Sequence, residues 1–144
     1  MTITICLDFD GVIHSYDSGW KGVSIIPDMP VPGAIDAILT YLNHGCTVAI
    51  YSSRSRSFRG RRAMKRYIAE TIWNDPKLIE RVENELTMWP IESFVDIYGI
   101  VKREFKWPWF KPPAFITIDD RAICFDGTFP SVEDIFAFKP WNKR

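Results

Sequence analysis

Short apolar runs alternate along this chain with stretches of helical spacing. Ile3 to Leu7 is apolar, β-branched at several positions and cut short by Asp8, which predicts a buried strand. Residues 14–33 hold three Pro and three Gly with Tyr16 and Trp20, and predict a loop or small insertion. Pro32-Gly33 then opens "AIDAILTYLNHG", where Ile35, Ile38, Leu39 and Leu42 recur at helical spacing and Gly45 suits the stop. "CTVAIYSS" (46–53) predicts a second strand. Strand, helix and strand within about 50 residues form a parallel βαβ unit.

Farther on, residues 60–74 predict a helix with Met64, Ile68 and Ile72 on one face. A second helix is expected over 76–88, with Pro76 at its start and Pro90 just past its end. Segment 92–98 is ambiguous, one helical turn or two, and "GIVKREFKW" (99–107) alternates as a strand does. "AFITIDD" (114–120) is a third apolar strand, "AICFDG" a short further one, and "SVEDIFAF" (131–138) a closing helix capped by Ser131. The pattern predicts an α/β fold: one Rossmann-like three-layer domain over 1–144, a parallel sheet with helices on both faces.

Composition adds bounds. The 144 residues are 47% hydrophobic and 15% aromatic, enough to build a core. Eighteen Lys+Arg balance 18 Asp+Glu, so any attraction to a polyanion must be local. Cys6, Cys46 and Cys124 are odd in number and lack close metal-binding spacing, which predicts reduced thiols and a cytoplasmic protein. No basic-then-apolar leader precedes the first strand, and no run approaches the ~20 apolar residues of a membrane helix.

The chemistry gathers where the strands end. In open parallel sheets ligands sit outside the carboxyl ends of the strands. The predicted strands end in Asp8-Phe9-Asp10-Gly11, in Ser52-Ser53-Arg54 and in Asp119-Asp120-Arg121. Four carboxylates meeting in one crevice repel one another, and a hard divalent cation such as Mg²⁺ resolves the conflict. Strand periodicity puts Asp8 and Asp10 on one side and Phe9 in the packing, and Gly11 allows the sharp turn that follows. Asp126 sits in an Asp-Gly turn context, His14 is isolated in a loop, and Cys6 lies on the strand as core.

In this order the motifs resemble the haloacid dehalogenase-like phosphohydrolase superfamily. "LDFDGVI" is similar to its first motif, "VAIYSS" to its second, and "FKPPAFITIDD" to its third and fourth. The Asp-Asp-Arg ending resembles that of the phosphatase domain of polynucleotide kinase–phosphatases. The resemblance implies that Asp8 is a nucleophile forming an aspartyl-phosphate, and that Asp10 protonates the leaving alcohol and then activates water. It implies Mg²⁺ between Asp8, the Asp10 backbone carbonyl and Asp120, with Asp119 orienting the metal shell. Ser52 would hydrogen-bond a phosphoryl oxygen, with Ser53 an equally polar neighbour. Lys111 would pair with Asp8 and the transferring oxygens, with Lys102 and Lys106 as alternatives.

Residues 54–66, "RSRSFRGRRAMKR", carry seven Lys/Arg and no acid. Arg54, Arg56 and Arg59 precede the predicted helix near the active edge, and Arg121 follows the acidic pair. Arginine pairs bidentately with phosphate, so these four are the expected substrate contacts. A nucleotide or nucleic acid end phosphate is the expected substrate, with an unrelated small phosphometabolite as the alternative. Residues 14–33 are too short for a large cap and are expected to form a flap; the helical 60–90 region holds the other candidate lid. An open site suits a bulky substrate or closure by an oligomer partner. A phospho-accepting receiver is disfavoured because here the acidic pair comes late, and a catalytically silent phospho-ligand binding protein because both Asp8 and Asp10 are retained.

Overall fold

The first strand, β1 (Thr4–Leu7), forms the middle of a three-stranded parallel sheet. In the computed structural model, which describes residues 2–144, β2 (Thr47–Ile50) flanks it on one side and β3 (Ile116–Ile118) on the other. Leu7 lies level with Ile50 and Ile118, so all three strands finish together. Backbone bonds extend the pairing past those ends, from Asp8 N–H to the Ile118 carbonyl at 2.9 Å and from Tyr51 N–H to the Leu7 carbonyl at 3.0 Å. The residues just beyond the strands are thereby held side by side.

Five helices complete the described chain. Helix α1 (Ala34–Asn43) connects β1 to β2 and buries Ile35, Ile38 and Leu39, the predicted stripe. It lies against the sheet face that carries Leu7 and Ile118. Helix α2 (Phe58–Trp73) begins where the Ser57 hydroxyl accepts the Gly60 N–H, and it buries Met64, Ile68, Ala69 and Ile72. Asp75 caps α3 (Pro76–Glu85), with Pro76 at its first position. These aliphatic side chains join Phe9 and Ile13 in one core, each contributing about 1.5–3 kcal/mol on full burial.

Two expectations need correction. Residues 99–104 are not a strand but belong to α4 (Phe94–Glu104), which Ser93 and Asp96 start with a reciprocal capping box. Its apolar positions Ile97, Ile100 and Val101 are spaced for burial on a helix, and that stripe outweighs the alternation seen in 99–107. Only Lys106 pairs with the sheet, as a single parallel bridge on the outer edge of β2 at Ala49. The second correction is "AICFDG", which runs as irregular chain from β3 toward α5 (Val132–Ala137). The structure is thus α/β with a small open parallel sheet. No helix among the described residues is long and apolar enough to cross a membrane.

Candidate active site

Asp8, Asp119 and Asp120 meet at the shared strand ends. One carboxylate oxygen from each lies within 4.8 Å of the others. Asp8 takes the Phe9 N–H on one oxygen at 2.8 Å. Both oxygens of Asp120 are buried with no hydrogen-bond partner. Gly11 explains how Asp120 fits: its φ of 84° is left-handed, and a Cβ there would overlap the Asp120 carboxylate. Burial, only partly offset by the Phe9 N–H, pushes the Asp8 carboxyl up to about 8, and the neighbouring Asp119 and Asp120 add to the rise. Asp120 is also raised, chiefly by burial. A cluster that resists ionisation while leaving buried oxygens unpartnered has the donor set of a hard oxygen-loving cation, so the residues fit Mg²⁺.

Beside this cluster lies a cavity of about 190 Å³ lined by Cys6, Asp8, Tyr51, Ser52, Ser53, Lys111, Thr117 and Asp119. It opens on the sheet side opposite α1, since Cys6 and Asp8 alternate with Leu7 along the chain. Of the three candidate lysines, Lys111 lines this cavity, whereas Lys102 belongs to α4 and Lys106 bridges the edge of β2. Burial raises the Cys6 thiol, and the charge on Lys111 opposes that rise. Ser52 caps a 3₁₀ turn (Ser53–Arg56), its hydroxyl accepting the Arg54 N–H at 3.0 Å and donating to the Met64 sulfur at 3.5 Å.

Asp10 points elsewhere. Its carboxylate accepts Nε of Arg54 at 3.0 Å and Nη2 at 3.2 Å, and it meets His14 Nδ1 at 2.9 Å. Burial alone would raise this carboxyl, but the hydrogen bonds from His14 and Arg54 outweigh it and hold the group below the usual range. His14 is itself buried, with its Nδ1 on Asp10 and its Nε2 3.1 Å from the Asp28 backbone nitrogen and 3.3 Å from an Asp28 carboxylate oxygen. Asp10 is therefore not a member of the carboxylate cluster through its side chain.

The expected phosphate contact at Arg54 is corrected by the same geometry. Arg54 is fully buried and its donors are spent internally. Besides Asp10, Nη1 donates to the Gly22 and Val23 carbonyls at 2.8 Å each, and the guanidinium lies 4.5 Å over the Trp20 ring. It ties the end of β2 to the end of β1 and to the 14–33 flap. Gly60 permits this packing, because a Cβ there would run into the Arg54 backbone carbonyl. The other expected contacts differ. Arg56 is exposed, Arg59 is exposed and near Ser24 Oγ at 3.5 Å, and exposed Arg121 approaches Asp120 at 3.7 Å.

The sequence assigned neither of two positioning residues its role. His14 stands four residues beyond Asp10, a spacing that signalled their contact only in hindsight of the turn between them. Trp141 donates its indole N–H to the Gly11 carbonyl at 2.8 Å, a contact 130 residues apart that no local pattern announces. The fold and cavity together define an α/β protein with an acidic pocket at the ends of its parallel strands. Compared with known proteins, the chain matches no family model, no curated protein and no solved structure.

Proposed function

We propose that this chain is a Mg²⁺-dependent phosphomonoesterase of the haloacid dehalogenase-like type on a Rossmann-like domain, acting on the end phosphate of a nucleotide or nucleic acid. The observation that carries this reading is the convergence of Asp8, Asp119 and Asp120 beside a cavity that Ser52 and Lys111 also line. Asp8, Asp120, Asp119 and the Asp10 backbone carbonyl are the groups that would hold the ion. When bound, the ion lets the crowded carboxylates ionise together and screens an anionic phosphate from them.

Asp8 then attacks phosphorus, the bond to the leaving alcohol breaks, and an aspartyl-phosphate forms. Lys111 neutralises the transferring oxygens, and Ser52 exchanges its weak bond to the Met64 sulfur for one to a phosphoryl oxygen. Asp10, held by Arg54 and His14, must turn its carboxylate toward the cavity before it takes a proton from the water that hydrolyses the intermediate. With Asp10 ionised by its two partners, the departing alkoxide takes its proton from solvent water at the open cavity mouth.

The cavity volume favours end-on entry. At about 190 Å³ it is smaller than the ~300–1,000 Å³ of pockets that engulf a whole small molecule, so it suits a phosphoryl group with the rest of the substrate outside. The same volume supports a second reading, a small phosphometabolite held by its phosphate. The test is turnover with Mg²⁺ of 3′- and 5′-phosphorylated oligonucleotides, mononucleotides and sugar phosphates, beside Asp8→Asn. Release of phosphate from the nucleic acid substrates by the wild type alone is expected. Turnover of sugar phosphates only would favour the second reading, and equal turnover by Asp8→Asn would remove the nucleophile.

A further inference from the structure

Arg59, Arg62, Arg66 and Tyr67 recur at helical spacing along one face of α2. That face lines a groove. Where it meets the flap, the groove is a cavity of about 430 Å³ whose other wall holds Ser24 and Ile26. Arg62 and Arg66 also line a second cavity of about 350 Å³, against Phe94, Val95 and Tyr98 of α4. The two shared arginines make these compartments neighbours. The flap wall is fixed in place: the Tyr67 hydroxyl donates to the Asp28 carbonyl at 2.8 Å, and Arg54 donates to the Gly22 and Val23 carbonyls. No residue of either compartment lines the acidic cavity.

The arginines of the groove differ from the other cations of α2. Arg61 lies 4.1 Å over the Trp109 ring and Lys65 lies 5.6 Å over the Trp107 ring, so both are engaged within the protein. Arg59 and Arg62 are exposed and have no carboxylate within 4.0 Å among the described residues. Arg66 meets only Glu70, at 2.7 Å, in an exposed ion pair that an incoming anion displaces at little cost. The compartment against α4 has no carboxylate in its lining. Asp96 on that helix is held by the Glu92 and Ser93 N–H groups of the cap.

We propose that this groove binds a single strand of nucleic acid, its phosphates on Arg59, Arg62 and Arg66 and its bases on the rings of Phe94 and Tyr98. Charge selects a polyanion. The helix rises about 10 Å from Arg59 to Arg66, which sets the guanidinium groups to meet successive anions of one chain. The rings select among polyanions. Phe94 and Tyr98 are half-buried, with centroids 6.3 Å apart, and a base stacks on such a surface where a run of carboxylates or bare phosphates does not. Size agrees, since each compartment lies within the ~300–1,000 Å³ that takes an organic molecule and exceeds what an inorganic anion fills. Only unpaired bases reach a ring, so the strand is single. The inference goes beyond the phosphatase reading: it concerns the body of the strand and needs neither an end phosphate nor Mg²⁺.

Fluorescence anisotropy in EDTA tests it, with a labelled oligothymidylate of about ten nucleotides that carries no phosphomonoester. The wild type is expected to bind, with log Kd rising by about 2 for each tenfold rise in salt, the slope of three phosphate contacts. Arg62→Ala with Arg66→Ala should weaken binding by about tenfold or more at low salt and flatten that slope by about 1.4. Tyr98→Ala should weaken binding by about tenfold and leave the slope unchanged. Absence of wild-type binding, a double variant that binds as well as the wild type, or polyglutamate that competes as strongly as the oligonucleotide overturns the proposal. Arg62→Gln removes a charge with no ion pair to lose and serves if the double variant fails to fold; an unchanged salt slope there overturns the proposal too. Failure of the phosphatase reading leaves this result standing, because no bond is cleaved in the assay.

Discussion

Replacing Asp8 by Asn should stabilise the metal-free protein while destroying its response to Mg²⁺. The three carboxylates lie within 4.8 Å of one another. Two unit charges at that distance repel by about 3.5 kcal/mol at an effective dielectric near 20. Asp119 is exposed and its repulsion is screened, so the Asp8–Asp120 pair carries most of this energy. An amide in place of Asp8 removes the charge but leaves a polar group poorly partnered, which costs about 1–3 kcal/mol. The balance is a gain of about 1–2 kcal/mol, or roughly 3–6 °C in melting temperature for a chain of this size.

The pH dependence distinguishes loss of the Asp8 charge from a change in packing. Asp8 is pushed up to about 8 from an ordinary value near 4, so between those values the folded state binds more protons than the unfolded chain. Stability of the metal-free wild type therefore falls as pH rises through that window and levels off above it. Thermal melts followed by circular dichroism in EDTA should show Asp8→Asn ahead of the wild type at pH 8.5 and level with it near pH 4. Adding Mg²⁺ at pH 8.5 should raise the wild-type melting temperature and leave Asp8→Asn nearly unmoved. The same advantage at both pH values, or an equal Mg²⁺ shift in both proteins, would refute the carboxylate-cluster reasoning.

Other expectations follow from neighbouring contacts. Arg54→Ala leaves Asp10 without its buried partner and should cost about 3–5 kcal/mol in urea denaturation, whereas exposed Arg56→Ala should stay within about 0.5 kcal/mol; equal costs would contradict the clamp. Lys111→Ala should lower phosphate release by about 10²–10³-fold, and Lys102→Ala and Lys106→Ala should leave it near wild type; the reverse order would move the positioned charge elsewhere. Arg56→Ala with Arg59→Ala should slow oligonucleotide processing more than p-nitrophenyl phosphate hydrolysis, and equal slowing would count against substrate recognition by this rim.

The core elements were legible in the sequence because burial and spacing agreed. Ile35, Ile38 and Leu39 on α1, and Met64, Ile68 and Ile72 on α2, are buried where their periodicity placed them. The failures fall where two signals conflicted. In 99–107 the residues alternate, yet Ser93 and Asp96 form a capping box, and once capped the helix carries Ile97, Ile100 and Val101 into the core. "AICFDG" is apolar enough for a strand, but apolarity forms a strand only when another edge pairs with it, and here the chain leaves the edge of β3 exposed.

For the site, residue identity was more legible than residue duty. The acidic residues at the ends of β1 and β3 could be read as neighbours because parallel strands in register bring their ends together. Arg54 could not be read in the same way. A guanidinium beside a strand end serves equally well for an external phosphate or for an internal carboxylate, and the choice depends on where the flap lies. Here the Gly22 and Val23 carbonyls and the Trp20 ring close over it, and Asp10 supplies the anion. The site thus holds two kinds of aspartate made from one short stretch. Asp8 is driven toward its neutral form by burial and by the like charges beside it, while Asp10, two residues on, is matched by Arg54 and His14 and kept ionised. Opposite environments two residues apart arise because β1 ends at Leu7, and the Gly11 turn and a single buried arginine take the Asp10 carboxylate to partners of its own.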